Sequence, residues 1–302
     1  MRRFIQFISV KLKAHKMYKI KVGVLISYDY KYFKNSLPTY YKYVDEIVLA
    51  IDQDRKTWSG IPFVIEEEFF KWIKEVDVNN KIRIYEDNFH LPNLNALEND
   101  SRERTLLGKF MGDGGWHIQI DADEYFIDFP SFINDLRVIE KGKTQDLTIW
   151  LKWVTLYKKC KNGYVFINSN EQFPIATTKP EYVAARVTKN TRKVELNHKV
   201  IHQSWARKEQ EISQKLESWG HNIDFPLISY FNFWKAIDDY TYKFVQNFHP
   251  LTPHTWPKLE YCKATTVEEL IHNLKDYKWS IPAKKSLIKR ILFKIYRLIK
   301  NK

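Results

Sequence analysis

The chain has 302 residues, 44% hydrophobic and 16% aromatic, with a formal net charge of +13. That supports one large α/β domain, or one domain with an appendage; two cysteines, Cys160 and Cys262, give neither a disulfide framework nor a metal-site spacing. Residues 1–21 and 284–302 hold fifteen basic residues and no acid, so the middle is near neutral and a basic nucleic-acid groove is not indicated.

No apolar run approaches the ~20 residues that span a bilayer. Charges interrupt residues 1–21, so no cleavable signal is expected. A reducing, cytoplasmic setting is the default for such cysteine usage.

In chain order, residues 19–28 read as a buried first strand. A loop and helix over 29–43 follow, with Pro38 near a boundary. Residues 45–51 form a second buried strand that runs into Asp52, and 63–76 carry helical spacing through Phe69, Phe70, Trp72 and Ile73. A third strand over 81–85 ends in Glu86 and Asp87, and a helix over 94–111 carries Arg102 and Arg104. Trp116, Ile118 and Ile120 then alternate with His117 and Gln119 as a half-buried strand. The alternation of strand and helix predicts a largely parallel sheet with helices on its faces. The second half reads as strands over 147–156, 163–168, 182–187 and 199–203, without long helices between them. Helices are expected over 206–219, ending at Gly220, and over 230–248 and 266–277.

Three strands end in acids: Asp52, Asp87 and Asp121. Ligands of open α/β sheets bind beyond the carboxyl ends of strands. The sharpest feature is Asp121-Ala122-Asp123-Glu124, three carboxylates in four residues at the end of an apolar strand. Crowded acids repel one another, and a hard divalent cation relieves them. An ordinary acidic turn is the plain alternative. Neither GxGxxG nor GxxxxGK[ST] follows the first strand.

In context, Ile120-Asp121-Ala122-Asp123-Glu124 resembles the metal-binding Asp-x-Asp of GT-A fold glycosyltransferases, in a form similar to glycosyltransferase family 2. The likeness covers roughly residues 20–225. It extends to Ile201-His202-Gln203-Ser204-Trp205, then Lys215-Leu216 and Trp219-Gly220-His221, which resemble a His-x-Ser-Trp…Lys-Leu…Trp-x-His signature of such enzymes. The resemblance implies a GT-A, Rossmann-like, mixed and mainly parallel sheet flanked by helices, with a C-terminal helical extension. It also implies a metal (Mn²⁺ or Mg²⁺) on Asp121 and Asp123, with His202 completing the shell. Asp52 falls where these enzymes place an acid near the nucleotide base, with a solvated turn acid as the alternative. Arg102 or Arg104 matches the arginine upstream of the metal motif, and His221 the residue that touches the diphosphate. The local pattern departs from Ala-Arg-Asn, so the choice between the two arginines stays open. Glu171 and Asp224 are the candidates for a catalytic base, which an inverting enzyme needs and a retaining one does not.

The implied activity is metal-dependent hexosyl transfer from a nucleotide-diphosphate sugar to a glycan or lipid-linked acceptor, as in surface polysaccharide synthesis. The alternatives are a sugar nucleotidyltransferase, which usually shows a Gly-rich loop where this chain has Ser27-Tyr28-Asp29-Tyr30, and a non-catalytic membrane-surface or carbohydrate-binding protein. The expected organisation is a basic segment over 1–17, a catalytic domain over 18–228, a helical region over 229–283 and a basic amphipathic helix over 284–302. In that tail Leu287, Ile288, Ile291, Leu292, Ile295, Leu298 and Ile299 make an apolar stripe among basic residues. This is the pattern of a helix in an anionic membrane interface, which places the protein peripherally on the inner face of the cell membrane.

Overall fold

The computed structural model describes residues 17–218 and 225–279. Gly220, His221, Asp224 and the expected tail helix lie outside the described residues. The chain divides into two compact units, each discontinuous in sequence: unit 1 holds residues up to Ala122, Asp128–Trp150 and Pro174–Leu196, and unit 2 holds Asp123–Ile127, Leu151–Phe173 and the chain from Asn197 onward.

Unit 1 is a Rossmann-like, mostly parallel sheet flanked by helices. Its parallel strands are β1 (Ile20–Leu25), β2 (Glu46–Asp52), β3 (Ile82–Asp87) and β4 (Trp116–Asp121). They lie in the order β3-β2-β1-β4. The register pairs Leu25 with Asp121 and Asp52 with Asp87, so the acidic ends come level. The order reverses between β1 and β4, the place where ligands of open α/β sheets bind. β1 and all of β2 beyond Glu46 are buried, which is why they read as near-continuous apolar runs; β4, expected to be half-buried from its alternation, is buried on both faces before Asp121, His117 and Gln119 included.

The helix expected over 29–43 is broken into α1 (Phe33–Ser36) and 3-10 turns, one of them with Pro38 at its start. Proline removes the N–H that a continuing helix needs. α2 (Glu67–Val76) and α3 (Ala96–Phe110) make the next crossovers. A capping box starts α3: the Asn95 side chain accepts from Glu98 N, and the Glu98 side chain accepts from Asn95 N. At its other end the buried Lys21 ammonium donates to the carbonyls of Met111, Gly112 and Asp113 at 2.9, 2.6 and 3.1 Å. A cation suits the negative end of the helix dipole. Gly115, with φ 82°, makes the turn into β4; a Cβ there would stand 2.6 Å from the Lys19 carbonyl. α4 (Phe129–Lys141) and the hairpin β8 (Tyr182–Ala184) with β9 (Val187–Thr188) complete this unit's own elements.

Unit 2 draws on β5 (Glu124–Phe126), β6 (Leu147–Lys159), β7 (Gly163–Thr177), β10 (Arg192–His202) and β11 (Glu260–Lys263). Here β10 pairs antiparallel with β5, and β11 with β7. α5 (Glu209–Ser218), α6 (Leu227–Lys235) and α7 (Val267–Lys275) are its helices. The long helix expected over 230–248 is instead α6 followed by a 3-10 turn at Thr241–Phe244. Asp238 redirects the chain there: its carboxylate accepts from Tyr240 N, Thr241 N and the Thr241 hydroxyl. Trp205, from the signature, packs edge-on against Trp256 and stacks on Tyr157 in this unit's core. The Lys215 ammonium donates to Ser204 Oγ at 2.9 Å, which ties α5 to the turn after β10.

Candidate functional site

Within unit 1 the site is organised by α3. This helix buries Asn99, Asp100, Glu103 and Arg104 on one side. The pairs 99/103 and 100/104 are one turn apart, so they form a polar ridge. Asn99 and Glu103 hold loops at the carboxyl end of the sheet. Asn99 accepts from Leu91 N and donates to the carbonyls of Trp58, Leu91 and Leu94. Glu103 Oε2 accepts from Trp58 Nε1 at 2.6 Å. Burial pushes the Glu103 carboxyl up to about 8. Arg102, beside the ridge, donates to the carbonyls of Asn88 and Phe89.

Asp52 is buried, and its two oxygens accept from Asp54 N, Lys56 N, Phe89 N and His90 N at 2.9–3.1 Å. A carboxylate has about four acceptor sites. Backbone amides fill them, so Asp52 fixes the loops after β2 and β3.

Arg104 is the arginine that reaches the motif. Its Nε donates to Asp100 Oδ1 at 2.6 Å and its Nη2 to Asp121 Oδ1 at 2.9 Å. Burial raises the Asp100 pKa against the pull of Arg104. Arg186 meets the other oxygen, Nη2 to Asp121 Oδ2 at 2.7 Å. The two arginine side chains are 3% and 6% exposed, and that of Asp121 is 29%.

Within unit 2 the register of β5 on β10 sets Glu124 opposite His202. Gln203 N donates to the Asp123 carbonyl at 2.9 Å, which holds the segment before β5 against the end of β10. His202 Nε2 thereby lies 3.6 Å from Asp123 Oδ2. The same oxygen accepts from Arg207 Nη2 at 2.6 Å, with both side chains almost fully buried. Arg207 Nε donates to Gln203 O, Gln203 Nε2 to Ala206 O, and Tyr125 OH to Gln203 Oε1. The fully buried Glu124 accepts from Trp153 Nε1 at 3.0 Å. Trp153 stacks on Phe173 at 4.3 Å and lies 5.2 Å from the His202 ring.

Glu171, beyond the strand expected over 163–168, lies inside β7, which runs on to Thr177. Its Oε2 accepts from Ser169 Oγ and Trp256 Nε1 at 2.9 and 3.0 Å. Those partners differ from the ones around Asp123 and His202. Arg186 and Arg207 escaped the sequence reading; Arg207 lies two residues beyond the quoted His202-Gln203-Ser204-Trp205, but no pattern gave it a partner 84 residues away.

Carboxylates with one imidazole are suitable donors for a divalent cation such as Mn²⁺. Among the described residues, no group of three or more His, Cys, Asp or Glu gathers where it could hold a metal.

No family model matches the chain, and no curated protein matches it. Among solved structures it is similar to the mannose-6-phosphate isomerase of Helicobacter pylori, with 14% identity over 51% of this chain and 56% of that one at a TM-score of 0.30. It is also similar to the mannose-1-phosphate geranyltransferase of Thermus thermophilus, with 11% identity over 50% and 49% of the two chains at a TM-score of 0.26. The chain thus spans about half the length of these structures. Scores this low carry neither a fold nor an activity across.

Proposed function

We propose that this protein is a glycosyltransferase that uses a nucleotide-diphosphate sugar and a divalent cation. One observation carries the reading: an Asp-x-Asp motif begins at the carboxyl end of β4, where the strand order reverses, and its first carboxylate is gripped by two buried guanidinia. Asp123 and His202 would hold the cation, with Asp121, two residues earlier in the chain, as the further carboxylate of the motif. Mn²⁺ or Mg²⁺, when bound, supplies Lewis-acid stabilisation of the departing diphosphate.

The chain's own groups do the rest. Arg104 brings a planar fork suited to phosphate oxygens, and Asp100 fixes its orientation through Nε. A guanidinium already ordered before the reaction stabilises developing charge with little reorganisation. The loops tied by Asp52, Asn99 and Arg102 lie beyond β2 and β3, where the nucleoside would be read. Trp153 and Glu124 hold the wall behind His202. Glu171 stands as the base candidate within the described residues. The acceptor is proposed to be a glycan or a lipid-linked glycan. The basic apolar stripe over 284–302 would bring the protein to an anionic membrane face, its cationic charge supplying the attraction. Among the described residues no helix is long and apolar enough to cross a membrane.

Release of nucleoside diphosphate from a panel of nucleotide sugars tests the reading, with Mn²⁺ or with chelator and with or without short glycan acceptors. Cation-dependent release from at least one donor is expected. A panel that stays intact under every condition would remove the transferase reading.

A further inference from the structure

Arg186 has no place in the sequence motifs, yet the fold builds a position for it. It follows Ala185 in the turn between β8 and β9. Ala185 has φ 46°, a left-handed conformation that L-residues rarely adopt. Two contacts to α3 dock this hairpin. Ala185 N donates to Ser101 Oγ at 2.9 Å, and Gly108 lies so close under Pro180 that a Cβ would stand 2.7 Å from the proline ring. The helix that carries Arg104 thus also seats the turn that carries Arg186. Both guanidinia are more deeply buried than the carboxylate they share.

Two guanidinium groups brought to one point repel each other unless an anion lies between them. In this structure Asp121 is that anion, one oxygen for each arginine. Asp100 faces Arg104 from one turn earlier on α3. Glu103, on the same helix, turns its Oε2 to Trp58 Nε1, and burial pushes its carboxyl up to about 8, which favours the neutral form. The geometry suits an anion whose oxygens replace those of Asp121, one per fork.

Resting on the transferase reading, we propose that Arg104 and Arg186 form a two-guanidinium clamp for the donor diphosphate, with Asp121 between the two guanidinia in this structure. Arg186 is the second arm of this clamp. Asp121 competes with phosphate until a cation draws its carboxylate away.

The test is calorimetric titration with inorganic pyrophosphate in chelator, with melting curves alongside. Asp121→Asn removes the competing charge and should bind pyrophosphate about tenfold tighter than wild type, or more. The double variant Asp121→Asn/Arg186→Gln should lose that gain. No gain in the single variant, or a gain kept in the double, overturns the clamp. Should Asp121→Asn melt below the assay temperature, Arg186→Gln alone is titrated with pyrophosphate and Mg²⁺. At least fivefold weaker binding than wild type is then expected, and unchanged or undetectable binding in both proteins overturns the clamp. These titrations need no turnover. A clamp verified in a protein that transfers no sugar would survive as an anion site while the transferase reading fell.

Discussion

Glu103 is the most exacting test of the polar ridge on α3. Its carboxyl is buried, accepts from Trp58 Nε1, and is pushed up to about 8 mainly by desolvation. In the unfolded chain a glutamate titrates near about 4.3. The folded state therefore keeps a proton that the unfolded state releases across that window. Stability from this group is fully present below about pH 4.3 and is lost as pH rises toward about 8. At pH 7 the loss amounts to about 3–4 kcal/mol, from about 1.36 kcal/mol per unit over roughly 2.7 units. Glu103→Gln keeps an acceptor for Trp58 and has nothing to titrate. Any cost of its amide N–H is independent of pH, so the slope is the readout. Urea denaturation of both proteins from pH 4.5 to 8.5 should show curves that separate with pH, the Gln variant gaining. A constant gap would refute the reasoning. So would a wild type that gains on the variant, because Glu103 would then be ionised and paired with Arg104.

Arg207→Met should cost about 3–5 kcal/mol in urea, because it strands the buried Asp123 carboxylate; a loss under about 1 kcal/mol would mean that Asp123 is otherwise neutralised. His202→Ala should lower turnover at least about tenfold with only a small fall in Tm, since removing one metal-ligand or outer-shell partner typically costs about 10–100-fold. Unfolding instead would make His202 a packing residue against Trp153. Deleting residues 284–302 should release the protein from anionic vesicles in co-sedimentation at low salt while sparing donor hydrolysis in solution; unchanged sedimentation would contradict the tail's role, unless deletion of residues 2–21 as well is needed for release.

Local patterns carried much of the fold and less of the site. β1 and β2 were legible because both faces of each are buried, which leaves an apolar run that composition alone reveals; β4 was legible from its alternation, but His117 and Gln119 are buried too, so it is not half-buried. α3 was legible as a helix over 94–111, although its buried side is polar; the Asn95 capping box that starts it was not read from the sequence. The helix over 29–43 failed at Pro38, and the one over 230–248 failed where the Asp238 side chain takes over backbone donors. Glu171 fell outside the strand expected over 163–168, because the apolar pattern stops at the polar run Asn168-Ser169-Asn170; the strand in fact continues through it to Thr177. At the site, the acids were visible because they cluster in sequence. Their arginine partners were not: Arg186 and Arg207 lie 65 and 84 positions from the acids they hold, and only tertiary structure brings such pairs together.

The central claim is that the carboxylates of the Asp-x-Asp motif, with His202, hold a cation together with a diphosphate. Electron paramagnetic resonance of free Mn²⁺ measures this directly. Wild type and Asp123→Asn are titrated with Mn²⁺ in the presence and absence of a panel of nucleoside diphosphates, with melting curves to verify folding. About one ion bound per chain is expected for wild type with its cognate nucleotide, and none for the folded variant. Equal Mn²⁺ uptake by the two proteins, or none by wild type with any nucleotide, would contradict the claim.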